Sequence, residues 1–154
     1  VMGKGMGGGL PMGAFTASSE VMDNLMHDPE LGHITTFGGN PVIAAAALAT
    51  LQEITESDLM AVTHQKEQLI RKLLVHPLIK EIRGMGLMLA VMTESAEMAT
   101  KIILKAQEKG LILFWLLFEK TAIRITPPLT ITTQEIKEGC GIIIDILNEI
   151  ESQS

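Results

Sequence analysis

Apolar residues along the chain change their period several times, and each change marks a predicted element. From Val42 to Ile54 the sequence VIAAAALATLQEI is dominated by alanine, the strongest helix former and one that permits close packing. Asn40 precedes it as an N-cap, and Pro41 stands at the first helical position, where a missing N–H costs nothing. A second helix is predicted from near Ser57 to Val75. Leu59, Val62, Leu69, Ile70, Leu73 and Leu74 share one face, Gln65 and Lys66 interrupt it, and Pro77 follows its end.

After that the pattern alternates between strand and helix. Leu87 to Met92 (LMLAVM) is a short apolar run after Gly84 and Gly86, read as a strand. Ser95 to Lys109 carries Met98, Ile102, Ile103 and Ala106 at helical spacing, with Gly110 placed as a C-terminal cap. Leu111 to Phe118 reads as a buried strand and Ala122 to Thr126 as another. Pro127-Pro128 breaks the chain, and Thr132 with Glu135 makes a capping box for a last helix. Ile136, Cys140, Ile143, Leu147 and Ile150 line one face of it, so Cys140 reads as core. From about Leu78 onward this is a small α/β or α+β unit. Val1 to Asn40, by contrast, is loop-like: Met12 to Ala17 is the one stretch with strand character, and Ser19 is expected to cap a short helix to about Met26.

Composition narrows the class. Of 154 residues, 47% are apolar and 19% charged, which excludes a disordered chain and fits a buried core. Lys+Arg 12 against Asp+Glu 18 gives a net charge of −6, contrary to a nucleic-acid footprint. The longest apolar stretch, Gly110 to Phe118, is about half of what a transmembrane helix needs. The glycine-rich start is no signal peptide, and Cys140 alone forms no internal disulfide, so a cytoplasmic setting is expected. His27, His33, His64 and His76 lack the spacing of a metal site.

Chemistry concentrates at the start, where Gly3-Lys4-Gly5-Met6-Gly7-Gly8-Gly9 surrounds one lysine with glycines. Gly3, Gly5 and Gly8 satisfy GxGxxG, but no strand precedes them and Pro11 interrupts any helix after them. Two readings stand on these residues alone. One is a flexible glycine turn with a solvated lysine. The other is a reactive amine, approached closely by a flat ligand because its neighbours have no side chains, and able to form a Schiff base.

Four stretches in order resemble the class III aminotransferases, pyridoxal-phosphate enzymes of the ornithine, acetylornithine and 4-aminobutyrate aminotransferase type. They are GKGMGGGLPMGAF at Gly3–Phe15, HITTFGGNP at His33–Pro41, RGMGL at Arg83–Leu87 and RITPPL at Arg124–Leu129. The resemblance covers essentially the whole chain. It implies the α/β fold of fold-type I pyridoxal-phosphate transferases, with residues 1–55 as the edge of the large cofactor-binding domain. Residues 56–154 would be a linking helix and the small C-terminal α/β domain.

The same resemblance implies site residues. Lys4 would form the internal aldimine with pyridoxal phosphate and shuttle the proton. Thr36 would reach the cofactor phosphate across a homodimer interface, and Arg124 would bind a substrate carboxylate. Without the resemblance, Thr36 reads as a turn residue, Arg124 as an exposed residue of a half-buried strand, and Arg83 as a solvated loop arginine. The implied reaction is amino transfer from an ω-amino compound to a 2-oxo acid such as 2-oxoglutarate. Other parts of the family's site are missing, among them the aspartate on the pyridine nitrogen. The expectation is therefore of a fragment, inactive alone, of a longer enzyme. A non-catalytic interaction fragment and a phosphate-binding glycine-loop module are the alternatives.

Overall fold

The computed structural model describes residues 1–153, which form two compact units, Val1–Asp58 and Leu59 onward. In the first, a 3-10 turn over Lys4–Gly7 precedes helices α1 (Ser19–Asp23) and α2 (Pro41–Glu56). In the second, α3 (Leu59–Leu73) leads to strands β1 (Glu81–Met85) and β2 (Met88–Met92), helix α4 (Ala96–Glu108), strands β3 (Phe114–Trp115) and β4 (Ala122–Ile125), and helix α5 (Thr133–Glu151).

Helix ends follow the predicted capping chemistry. Asn40 Oδ1 accepts the N–H groups of Val42 and Ile43 at 3.0 and 3.2 Å, with Pro41 opening α2. Thr132 and Glu135 form the reciprocal capping box of α5. α4 starts on Ser95 and ends in a Schellman motif, where Gly110 (φ +82°) donates to Gln107 O and Leu111 to Ala106 O.

The second unit carries the core. Its sheet has strand order β1-β2-β4-β3, antiparallel throughout. Leu89, Val91 and Ile123 on one sheet face meet Ile102 and Ile103 of α4 and the buried stripe of α5 in one cluster, with Ile70 of α3. Cys140 lies in that stripe, and burial pushes its thiol up to about 11, so it stays protonated and packs as an apolar group.

Glu67 and Arg71 on α3 clamp the β1–β2 turn. Arg71 donates to Glu67 at 2.8 Å and to the carbonyls of Ile82 and Gly84 at 2.6 and 2.9 Å, while Glu67 accepts the Gly86 N–H at 2.7 Å. Gly84 is required there: its φ is +110°, and a Cβ would stand 2.1 Å from Met88 O.

Four local expectations need correction. Met12 to Ala17 makes only an isolated bridge, Met2 with Ala14, because among the described residues no second strand lies beside it. α1 starts at Ser19 itself, after an extended Ser18 whose side chain makes no cap hydrogen bond, and its turns run on to Met26. Leu111 to Phe118 is not a buried strand: only Phe114–Trp115 pairs, at the sheet edge, and Phe118 is 99% exposed. β1 and its Arg83, which the sequence pattern placed in a loop, form the opposite edge of the sheet.

Candidate functional site

Lys4 opens the 3-10 turn with φ +53°, left-handed backbone that costs a side-chain-bearing residue about 1–2 kcal/mol. Such strain at a chemically capable residue marks a candidate site. The turn is held on both sides. Met2 and Ala14 exchange hydrogen bonds of 2.7 and 2.9 Å, and Gly8 (φ +58°) presses against α2 so closely that a Cβ would lie 2.3 Å from Thr50 Oγ1. Gly5 differs: a Cβ there would meet nothing within 4 Å, so nothing within the chain demands a glycine. The space beside the lysine stays open to a ligand. Lys4 is exposed, and among the described residues its amine pairs with no carboxylate.

Thr36 belongs to the same unit. It lies on the exposed turn that feeds α2, where Gly38 N–H donates to Thr35 O at 3.2 Å and Asn40 N–H to Phe37 O at 3.2 Å. No hydrogen bond joins Thr36 to Lys4 among the described residues, and its hydroxyl remains available. The donor set fits an aldehyde cofactor that carries a phosphate: a free amine beside a side-chain-free space, and a free hydroxyl on a glycine-bounded turn.

Arg124 is in the other unit, on β4. Its Nε is buried without a hydrogen-bond partner, and its Cζ stands 5.1 Å from the centroid of the Phe114 ring. A buried donor left unmatched costs about 1–3 kcal/mol, and this one is rationalised by an acceptor that arrives with a ligand. A mostly apolar cavity of about 430 Å³ adjoins it, lined by Phe114, Pro127, Pro128, Ile136 and Cys140 among others.

Other candidates are structural. Trp115 Nε1 donates to Thr100 Oγ1 at 3.1 Å, and His76 Nε2 is 3.2 Å from Asn148 Oδ1. No group of three His, Cys, Asp or Glu side chains could hold a metal, and no helix is long and apolar enough to cross a membrane, among the described residues.

The profile of the family described as "Aminotransferase class-III" matches residues 1–147. The acetylornithine aminotransferase of Caldanaerobacter subterraneus subsp. tengcongensis is 38% identical over 97% of this chain and 37% of its own. The leucine/methionine racemase of Thermococcus litoralis is 35% identical over 96% of this chain and 35% of its own. An ornithine aminotransferase structure from Toxoplasma gondii, described with partial occupancy of PLP at its active site, superposes with a TM-score of 0.75. It is 31% identical, over 88% of this chain and 32% of its own. The chain thus spans about a third of the length of the curated relatives it matches.

Proposed function

The chain belongs to the class III aminotransferases, and from that premise we propose that the protein carrying it moves an amino group from an ω-amino compound to a 2-oxo acid. Ornithine, N-acetylornithine, lysine or 4-aminobutyrate would be the donor class, with 2-oxoglutarate as an acceptor. The observation that carries this reading is the free Lys4 amine, on strained backbone beside the open space at Gly5.

In this reading Lys4 Nζ holds pyridoxal phosphate, then serves as the base and acid that moves the proton at the substrate carbon. When bound, the cofactor supplies the electron sink that makes that proton mobile. Thr36 Oγ1 binds the phosphate of the neighbouring protomer's cofactor in a homodimer. Arg124 takes the substrate carboxylate, which satisfies its orphaned Nε and fixes orientation by paired hydrogen bonds. Residues 1–55 would be the edge of the large cofactor-binding domain and 56–154 the linking helix and small domain. The short coverage of the relatives supports the view that the remaining site residues lie in sequence outside this chain.

The test is borohydride reduction of the protein with pyridoxal phosphate, followed by peptide mapping. A pyridoxyl label on the Lys4 peptide, lost in Lys4→Ala, is expected; no label on any lysine would sink the reading. The racemase among the relatives favours a second reading, inversion at an amino acid's α-carbon by the same lysine. Loss of optical rotation of a single enantiomer without any 2-oxo acid would select it.

A further inference from the structure

The three most exposed methionines among the described residues border one groove. Met60 of α3 is 59% exposed, and Met85 and Met88, on either side of the β1–β2 turn, are 82% and 74% exposed. With His64 they line a cavity of about 630 Å³, whose other walls include Thr126 and Leu129. Register and helical spacing explain the grouping. Met85 is the direct partner of Met88 across the two strands, which sets their Cβ atoms about 5 Å apart. Met60 and His64 are four positions apart on α3 and so share a helix face. Thr63, beside His64, packs on the turn: a Cβ on Gly86 would lie 2.9 Å from Thr63 Cγ2. Leu87 plugs the turn into the core, and the Glu67–Arg71 clamp ties it to α3. The backbone that carries these four side chains is therefore fixed before any ligand arrives.

The donors on this wall are soft and uncharged. A methionine thioether sits on three rotatable bonds, so its sulfur can be brought to a ligand without moving the backbone. His64 adds an imidazole whose side chain is 75% exposed, with Nδ1 3.7 Å from Glu67 Oε2. A carboxylate on that side favours the tautomer with its proton on Nδ1 and leaves the Nε2 lone pair for a ligand. The cations near the groove are engaged elsewhere. Arg71 is held by Glu67 and the Ile82 and Gly84 carbonyls, and Lys66 Nζ donates to Leu129 O at 2.6 Å. Zn²⁺ sites draw on thiolates, carboxylates or several imidazoles, and Mg²⁺ and Ca²⁺ take oxygen. Three thioethers with one imidazole instead match a soft monovalent cation.

We propose that Met60, His64, Met85 and Met88 form a binding site for a soft monovalent metal ion, Cu(I), with three sulfurs and His64 Nε2 as its ligands. None of the four has a part in the proposed amino transfer. The clamp of Glu67 and Arg71 then has a consequence for binding, because Glu67 both orients the imidazole and holds the turn that carries two of the sulfurs.

The test uses the whole protein that carries this chain, with Cu(I) buffered by a chromophoric chelator under anaerobic reducing conditions. Ag(I) serves as an air-stable probe of the same class. The protein should take one Cu(I) per chain from the chelator, and neither Zn²⁺ nor Mg²⁺ should compete. His64→Gln should weaken Cu(I) binding by at least about tenfold, the loss typical of removing only a metal ligand's hydrogen-bond partner. Met85→Leu combined with Met88→Leu, a swap that nearly conserves volume, should weaken it at least as much while the urea midpoint holds. In protein labelled at its methionine methyl groups, Ag(I) should shift the Met60, Met85 and Met88 signals together and saturate at one equivalent. Cu(I) affinity retained within about twofold in either variant overturns the assignment. So do equal shifts of other methionines at the same Ag(I) concentration, or no Cu(I) binding by the whole protein.

Discussion

At the scale of single residues, the informative side chains are those whose partners do not match their burial. Arg124 has a buried donor and no acceptor, whereas Glu67, 6% exposed, is fully matched. The hydrogen bond from Arg71, then that from the Gly86 N–H, hold the Glu67 carboxyl below the ordinary 4.5, against the opposing pull of burial. A carboxyl depressed in the folded state adds stability that is complete above its unfolded value and is lost as pH falls through the folded one. Wild type should therefore exceed Glu67→Gln in urea midpoint at about pH 7, and the gap should close as acidification protonates the Glu67 carboxyl, below the ordinary 4.5. A gap that is constant with pH would refute the clamp as a charge-dependent contact. Sequence reading does not single out Glu67; the breaks it finds in the apolar face of α3 are its neighbours Gln65 and Lys66. The partners of Glu67 are a turn of helix away and 19 residues on, and periodicity within α3 shows neither the Gly86 N–H nor the turn it belongs to.

At the scale of elements, legibility tracks whether the determining contacts are local. Asn40-Pro41 and Thr132-x-x-Glu135 sit within one turn of the groups they satisfy, so α2 and α5 could be bounded from sequence. Leu111 to Phe118 could not: an apolar run carries no mark of whether a partner strand exists, and pairing stops after Phe114–Trp115. β1 was obscured for the opposite reason. Ile82 is its single core-facing apolar side chain, and Gly84 reads as turn punctuation although it pairs with Leu89 within the ladder. That pairing makes a strong prediction. Gly84→Ala sets a side chain at φ +110° and drives its Cβ against Met88 O, so a loss of about 3–5 kcal/mol is expected from strain and overpacking together. A shift in urea midpoint at unchanged m-value measures it, and a change below about 1 kcal/mol would mean that the hairpin is built otherwise.

At the scale of the whole molecule, Lys4 and Thr36 lie in one unit, and the core lies in the other, together with Arg124. Lys4 and Thr36 were legible as words of a family motif, without support from periodicity, and they sit in the unit that buries least. Among the described residues before Leu59 only Gly7 and Ala47 are buried, while Leu31, Ile34, Phe37, Val42 and Leu48 are more than half exposed. The contiguous core runs from Ile70 to Ile150. α2 has 16 residues, near the length at which an isolated helix is marginal in water even when rich in alanine. Its capping and composition favour helix, but little buried surface holds it there, whereas α5 is anchored by Ile136, Ile143, Ile146, Leu147 and Ile150. In the isolated 154-residue chain, native-state hydrogen exchange should therefore find α2 amides opening with free energies well below those of α5. α5 amides should approach the global unfolding limit. Protection of α2 equal to that of α5 would overturn this, because the buried contacts of the first unit cannot supply it. The exposed apolar face around Phe37 and Leu48 would then have to be covered, as self-association in the same sample would reveal.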